Sequence, residues 1–244
     1  MDSKFRDRRE AGRALADRFN ALLLESDFLI LGLAPGGVPV AYEVARTLDL
    51  PVDVFVLRTL HVPRHEELTV GGIAAGGVRV LDGSTIAALG IPQGTIDEIA
   101  RREALELARL EQYYRSRRQG PKITGRGVAL IDDGLATAST LRTAVSALSV
   151  YRPSKIILAV PIAPPEVIEL VDRSVDEVVY AVPPEPLEDI GLWYHDASPA
   201  SDREIRQLLA DAAEARRSYA ALPEKLRRRD SALRSSDPPL GLDS

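Results

Sequence analysis

The sequence predicts an α/β fold, a mostly parallel sheet flanked by helices. Two observations carry this. Short apolar runs recur along the chain, each followed by a stretch with helical spacing, and such alternation implies a parallel sheet covered on both faces. The runs themselves, Phe28-Leu29-Ile30-Leu31-Gly32-Leu33 and Val128-Ala129-Leu130-Ile131, are apolar almost throughout, as strands buried on both sides are.

Taken in order, residues 5–25 read as an amphipathic helix. Phe5, Leu15, Phe19, Leu22 and Leu23 share its apolar face, and Arg6, Arg8, Asp17 and Arg18 face water. The first strand ends in Ala34-Pro35-Gly36-Gly37, and Val38–Leu48 has helical spacing. A second strand is expected at Val52–Arg58. Leu68–Leu81, with Gly71-Gly72 and Gly76-Gly77 between β-prone residues, reads as a hairpin or mobile flap. A long charged helix follows from Thr95 to about Arg118, broken by Gly120, Pro121 and Gly125. Beyond the Val128–Ile131 strand come a helix at Leu141–Leu148, strand Ile156–Pro161, helix Pro165–Val171, strand Glu177–Val182 and a helix at Ser201–Tyr219. The expected organisation is one domain over residues 1–220. Residues 221–244, rich in Arg, Ser, Asp and Pro, are expected to be a disordered tail.

Composition narrows the class. With 31 Lys plus Arg against 36 Asp plus Glu, the net charge of −5 lacks the basic excess of a general nucleic-acid binder. No cysteine is present, which excludes disulfides, thiolate metal sites and a cysteine nucleophile. The charged start Met1–Glu10 has no apolar run for a signal peptide, and no segment approaches a membrane span. A cytoplasmic protein with no membrane partner is the expectation.

The segment with the most chemistry is Ile131-Asp132-Asp133-Gly134-Leu135-Ala136-Thr137-Ala138-Ser139-Thr140. An apolar strand delivers two adjacent acids, then small and hydroxyl residues at a helix start. Backbone N–H groups and the helix N-terminus can cradle a phosphate there, with Thr137, Ser139 and Thr140 adding hydroxyls. Phosphate would repel Asp132 and Asp133, so their targets are sugar hydroxyls or a hydrated magnesium ion. The plainer reading is a helix cap. A Walker A loop is excluded, since no Gly-Lys-Ser/Thr follows.

This segment resembles the phosphoribosyl-pyrophosphate (PRPP) signature of the type I phosphoribosyltransferases, which have a Rossmann-like sheet and a flap or hood. The chain is most similar to a bacterial, largely uncharacterised group of them. Phe5-Arg6-Asp7-Arg8, Leu31–Ala41, Leu57–Ile73, Tyr114-Arg115 and Gly191–Asp196 carry the likeness in order. The resemblance implies phosphoribosyl transfer between PRPP and a nitrogenous base, with magnesium as cofactor. Asp132 and Asp133 would hold the ribose 2- and 3-hydroxyls and contact the metal indirectly. Gly134 and Ala136–Thr140 (Ala136, Thr137, Ala138, Ser139, Thr140) would hold the 5-phosphate. Ala34, Pro35, Gly36 and Gly37 would form the pyrophosphate loop, and Leu60–Gly77 a lid. Trp193 and Tyr194 have two readings: an aromatic that stacks on the base or, for the tryptophan, a core plug. The partner class implied is a phosphorylated sugar or nucleotide, and a homodimer fits the family.

Three positions depart from the related pattern. Pro35 stands where an arginine is usual, Thr59 where a lysine is usual, and Ala138 where a glycine is usual. Arg58, Arg64, Arg79 or an arginine of the long helix, Arg115 first, are the candidates to replace the missing charge. Ala136 occupies the place of the aspartate that serves the base in 6-oxopurine enzymes, and the base stays open. The departures also leave room for a non-catalytic nucleotide or PRPP sensor. Hydrolase chemistry ranks last, with no nucleophile–base pair to support it.

Overall fold

The computed structural model describes residues 4–19, 27–62, 65–116, 118–134, 138–165, 168–169, 173–183 and 189–221. In chain order the first half comprises α1 (Arg8–Ala16), β1 (Phe28–Leu33), α2 (Gly37–Leu48), β2 (Val52–Phe55), β3 (Leu57–Val62), β4 (His65–Ala74) and β5 (Val78–Leu81). The second half comprises α3 (Gly83–Leu89), α4 (Gln93–Tyr114), β6 (Gly127–Ile131), α5 (Ala138–Ser149), β7 (Lys155–Val160), β8 (Glu177–Tyr180) and α6 (Asp202–Ala221).

Five strands form one parallel sheet in the order β2-β1-β6-β7-β8. Its central strands β1 and β6 are buried along their whole length, as their unbroken apolar sequences require. Alternate residues feed two cores. Phe28, Ile30, Ala129 and Ile131 pack with Leu15, Val40 and Val44 of α1 and α2. Leu29, Leu31, Val128 and Leu130 face the other way, onto Leu141, Val145 and Leu148 of α5.

The segment expected as one strand, 52–58, is two. Its first half joins the parallel sheet, and the chain then leaves at Val56 to start a separate three-stranded antiparallel sheet, β3-β4-β5. The region read as a hairpin or flap therefore has a fixed base. Leu60, Val70 and Ile73 pack with Ile96, Leu107 and Leu110 of α4 and with Ile205 and Leu208 of α6 in a third core.

Other boundaries moved for local reasons. Helix α1 begins only at Arg8, because the Asp7 side chain caps it by accepting from the Glu10 N–H. Leu22 and Leu23, assigned to that helix from sequence, lie outside the described residues, as do Arg64, the expected tail from 222 and much of the helix expected at Pro165–Val171. Helix α3 was not anticipated, although Asp82-Gly83-Ser84-Thr85 is a capping sequence. Asp82 accepts from the Ser84 and Thr85 N–H groups and hydroxyls, which hold its carboxyl down at about 2.

Helices α4 and α6 are tied where one ends and the other begins. The buried Tyr114 phenol donates to Asp202 Oδ1 at 2.6 Å. Tyr114→Phe is expected to cost about 1 kcal/mol, the usual net value of one hydrogen bond. Urea unfolding would read this loss, and ligand affinity should not change.

Candidate active site

Strand β1 connects outward to β2 on one side, and its neighbour β6 connects to β7 on the other. The sheet order reverses between β1 and β6, and ligands of open α/β sheets bind in the crevice at the carboxyl ends of such a strand pair. A cleft of about 400 Å³ lies there. Ala34, Pro35 and Gly36 line it from the loop after β1, and Asp132 and Asp133 from the loop after β6. Thr140 of α5 and Arg58, Thr59 and His61 of β3 complete two walls. Arg8 of α1 and the segment Pro199-Ala200 close a third.

The two loops touch, and glycine is what lets them. A Cβ built on Gly36 would lie 2.3 Å from Asp133 Oδ2, and one on Gly37 would lie 2.3 Å from the Ile131 carbonyl oxygen and 2.8 Å from Asp132 Cα. Gly36 has ordinary helical torsions (φ −68°, ψ −35°), so the requirement is space rather than a left-handed backbone. The resemblance assigned these glycines to a ligand; the first thing they admit is the acid pair itself. The Ala34–Pro35 peptide is cis.

The two acids have different surroundings. Asp132 accepts the Asp133 backbone N–H at 2.9 Å, and burial, then the neighbouring Asp133 carboxylate, raises its carboxyl well above the usual range. Asp133 pairs with Arg8, Nε to Oδ2 at 2.7 Å, with the two side chains 14% and 15% exposed. The Tyr194 hydroxyl donates to the Asp133 carbonyl oxygen at 2.5 Å. Burial, then the Asp133 charge, pushes that phenol upward, so it remains a donor. Arg8 lies over the Tyr194 ring at 5.2 Å, and its Nη1 donates to the Ser198 carbonyl at 2.7 Å.

Arg58 reaches the cleft from β3, anchored by the buried Glu103 of α4, with Nη2 to Oε2 at 2.8 Å. Glu103 also pairs with Arg102 at 3.1 Å.

The structure thus brings Ala34, Pro35, Gly36, Arg58, Asp132, Asp133 and Thr140 to one cleft. Gly37 sits beneath its floor against Ile131, and Gly134 is buried next to the acids. Ala136 and Thr137 lie outside the described residues, and so do the side chains of Ala138 and Ser139 at the start of α5.

Two expected site residues lie elsewhere. Arg115 caps α4 and is pinned to edge strand β2, with Nε to Asp53 at 2.9 Å, Nη1 to Glu111 at 2.6 Å and Nη2 to the Val54 carbonyl at 2.9 Å. Three partners away from the cleft leave it no role as a replacement cation. Trp193 is 5% exposed and packs in the core with Phe5, and Lys4 Nζ lies 4.4 Å from its ring centre. The core-plug reading holds for it. Trp193 ends a short 3-10 turn, and it is the next residue, the extended Tyr194, whose hydroxyl reaches the acid loop. Arg79, another candidate cation, pairs with Asp97 at 2.7 Å.

Sequence reasoning put Arg8 on the wet face of the first helix and considered Tyr194 only for base stacking beside Trp193, so neither was expected against the acid pair. A signal for Arg8 existed: a cation in the first turn opposes the helix dipole and is rarely placed there without a partner. Its partner, Asp133, is 125 positions away, and no local pattern reveals it.

Comparison with known proteins identifies the family. The phosphoribosyl transferase domain family matches residues 7–187. Proteins of Mycobacterium tuberculosis strains CDC 1551 and H37Rv, each provisionally named a phosphoribosyl transferase, are 37% identical over 201 residues. That stretch is 82% of this chain but 45% of theirs, so the chain spans about half the length of these relatives. The crystal structure of TT1426 from Thermus thermophilus superposes with a TM-score of 0.73 at 32% identity, covering 85% of this chain and 98% of that one. Family match, relatives and fold together place this chain in the phosphoribosyl transferase domain family.

Proposed function

We propose that the chain transfers a phosphoribosyl group between PRPP and a nitrogenous base at the cleft between β1 and β6. The observation that carries this is the meeting of the Ala34–Gly37 loop and the Asp132–Asp133 pair in one crevice at the sheet's switch point. In this reading the acids accept hydrogen bonds from the ribose 2- and 3-hydroxyls. The backbone of the β1 loop receives the pyrophosphate, and the turn into α5, with the Thr140 hydroxyl, receives the 5-phosphate. Leu33, Leu57, Pro199 and Ala200 give the cleft apolar walls that exclude water from the bond being broken. Among the described residues its walls carry no Phe, Tyr or Trp, and the aromatic ring they offer a base is the His61 imidazole.

Among the described residues no group of three or more His, Cys, Asp or Glu could hold a metal ion. The pair of carboxylates suits a magnesium ion that takes most of its ligands from substrate and water, and such an ion would neutralise charge developing on the leaving pyrophosphate. No described helix is long and apolar enough to cross a membrane.

Isothermal titration with PRPP and magnesium tests the proposal. Heat with the wild type, and none with the Asp132→Asn/Asp133→Asn double variant, is expected; silence from the wild type at millimolar PRPP would sink it. One observation favours the sensor reading: the β1 loop brings no cation, and Asp133 is already paired with Arg8. Tight binding of a nucleoside monophosphate, with no turnover across a panel of bases, would decide for the sensor.

A further inference from the structure

We infer that Arg8, from the first turn of α1, supplies the pyrophosphate-facing cation that the loop after β1 lacks. This rests on the cleft being a phosphoribosyl-pyrophosphate site and names a residue nothing else assigns to it. Ala34-Pro35-Gly36-Gly37 contains no basic side chain. The loop nevertheless has a cation beside it. The Cβ direction of Gly36 runs into Asp133 Oδ2, and Arg8 Nε sits 2.7 Å from that same oxygen. The guanidinium therefore lies at the lip of the glycine loop, where a side chain of the loop itself would otherwise deliver charge.

Its chemistry suits the task. A guanidinium has five N–H donors in a planar fork, which can bridge a carboxylate and a phosphate at once. Two are committed among the described residues, to Asp133 and to the Ser198 carbonyl. The Tyr194 ring lies beneath the plane. These contacts fix the group before ligand arrives, so little conformational entropy is lost on binding. Arg58, also in the cleft, has both Nε and Nη2 on the buried Glu103, across the cavity on β3. Arg8 is the one that abuts the loop.

Its position is also costly in local terms. A positive charge in the first turn of a helix is opposed by the helix dipole. Pairing with Asp133 and the Ser198 carbonyl offsets that cost, and the donors of the fork left uncommitted among the described residues are those a second anion at the loop would take.

Wild type, Arg8→Gln and Arg8→Lys would be titrated separately with magnesium pyrophosphate and with ribose 5-phosphate, alongside thermal unfolding of each. The wild type is expected to bind both. Arg8→Gln should weaken pyrophosphate by at least about tenfold, the scale of one charged hydrogen bond, and leave ribose 5-phosphate little changed. Equal weakening of both ligands would mean that Arg8 only positions the acid pair, and no weakening of pyrophosphate would mean it does nothing there; either overturns the inference. A wild type that binds ribose 5-phosphate but not pyrophosphate overturns it too, leaving the sugar-phosphate site standing. A wild type that binds neither removes the phosphoribosyl reading and this inference with it. Should Arg8→Gln fail to fold, Arg8→Lys decides: it keeps the charge without the fork, and a loss confined to pyrophosphate is expected, while an equal loss overturns.

Discussion

Gly37→Ala is expected to lower the rate of phosphoribosyl transfer on the order of 100-fold, the penalty for moving site groups by about an ångström. Its Cβ would meet the Ile131 carbonyl oxygen at 2.3 Å and Asp132 Cα at 2.8 Å. Both are backbone atoms of β6 and the acid loop, so no rotamer change relieves the contact, and α2 and the loop must separate. Overpacking of this kind costs about 1–3 kcal/mol of stability. Gly94→Ala, on the first turn of α4 with nothing within 4 Å of a new Cβ, is the control. It should match or slightly exceed the wild type in urea unfolding and bind ligand normally. An unchanged transfer rate in Gly37→Ala would mean that contact between the two loops does not set the site's geometry.

Asp132→Asn is expected to do two opposite things: remove ribose-phosphate binding and raise stability. Asn keeps an oxygen to accept the Asp133 N–H, but it removes a charge that burial and the Asp133 carboxylate both disfavour. Because the folded state holds the Asp132 proton more tightly than the unfolded chain, its contribution is fully present below the ordinary value of 3.8 and declines as pH rises through the higher folded value. The variant should therefore equal the wild type near pH 4 and exceed it most at pH 7 and above, by about 0.5–2 kcal/mol, the scale common to single stabilising changes. Thermal unfolding from pH 4 to 8 reads the difference. A variant less stable than the wild type at pH 7 would show that Arg8 more than compensates the buried charge.

The parallel sheet was legible because its strands are apolar on both faces, and that pattern is local. The acid pair and the glycine loop were legible because each sits directly after such a strand, where the topology fixes its direction. What stayed hidden depended on contacts between distant segments. The split of 52–58 into two strands of different sheets has no mark in Val52–Arg58, since both halves are equally β-prone. Tyr114-Arg115 stood out as a matched pair, yet Asp53 and Glu111 decide where Arg115 points. Trp193 and Tyr194 are adjacent aromatics, and which of them reaches the acid loop depends on a backbone partner far away in sequence. That partner is Phe5, whose N–H donates to the Trp193 carbonyl at 3.1 Å and whose carbonyl accepts from the His195 N–H at 2.8 Å.

That pairing of Phe5 with Tyr194 also sets an order of events. The β1 and β6 loops can meet once the chain has been made as far as the parallel sheet's central strands. The third wall cannot form then, because Arg8 needs the Ser198 carbonyl, 190 positions later. Contacts of such long sequence separation close late, after the entropy of the intervening loop has been overcome by the rest of the fold. On the ribosome, the cleft stays open on its Arg8 side until the segment around Ser198 has been made.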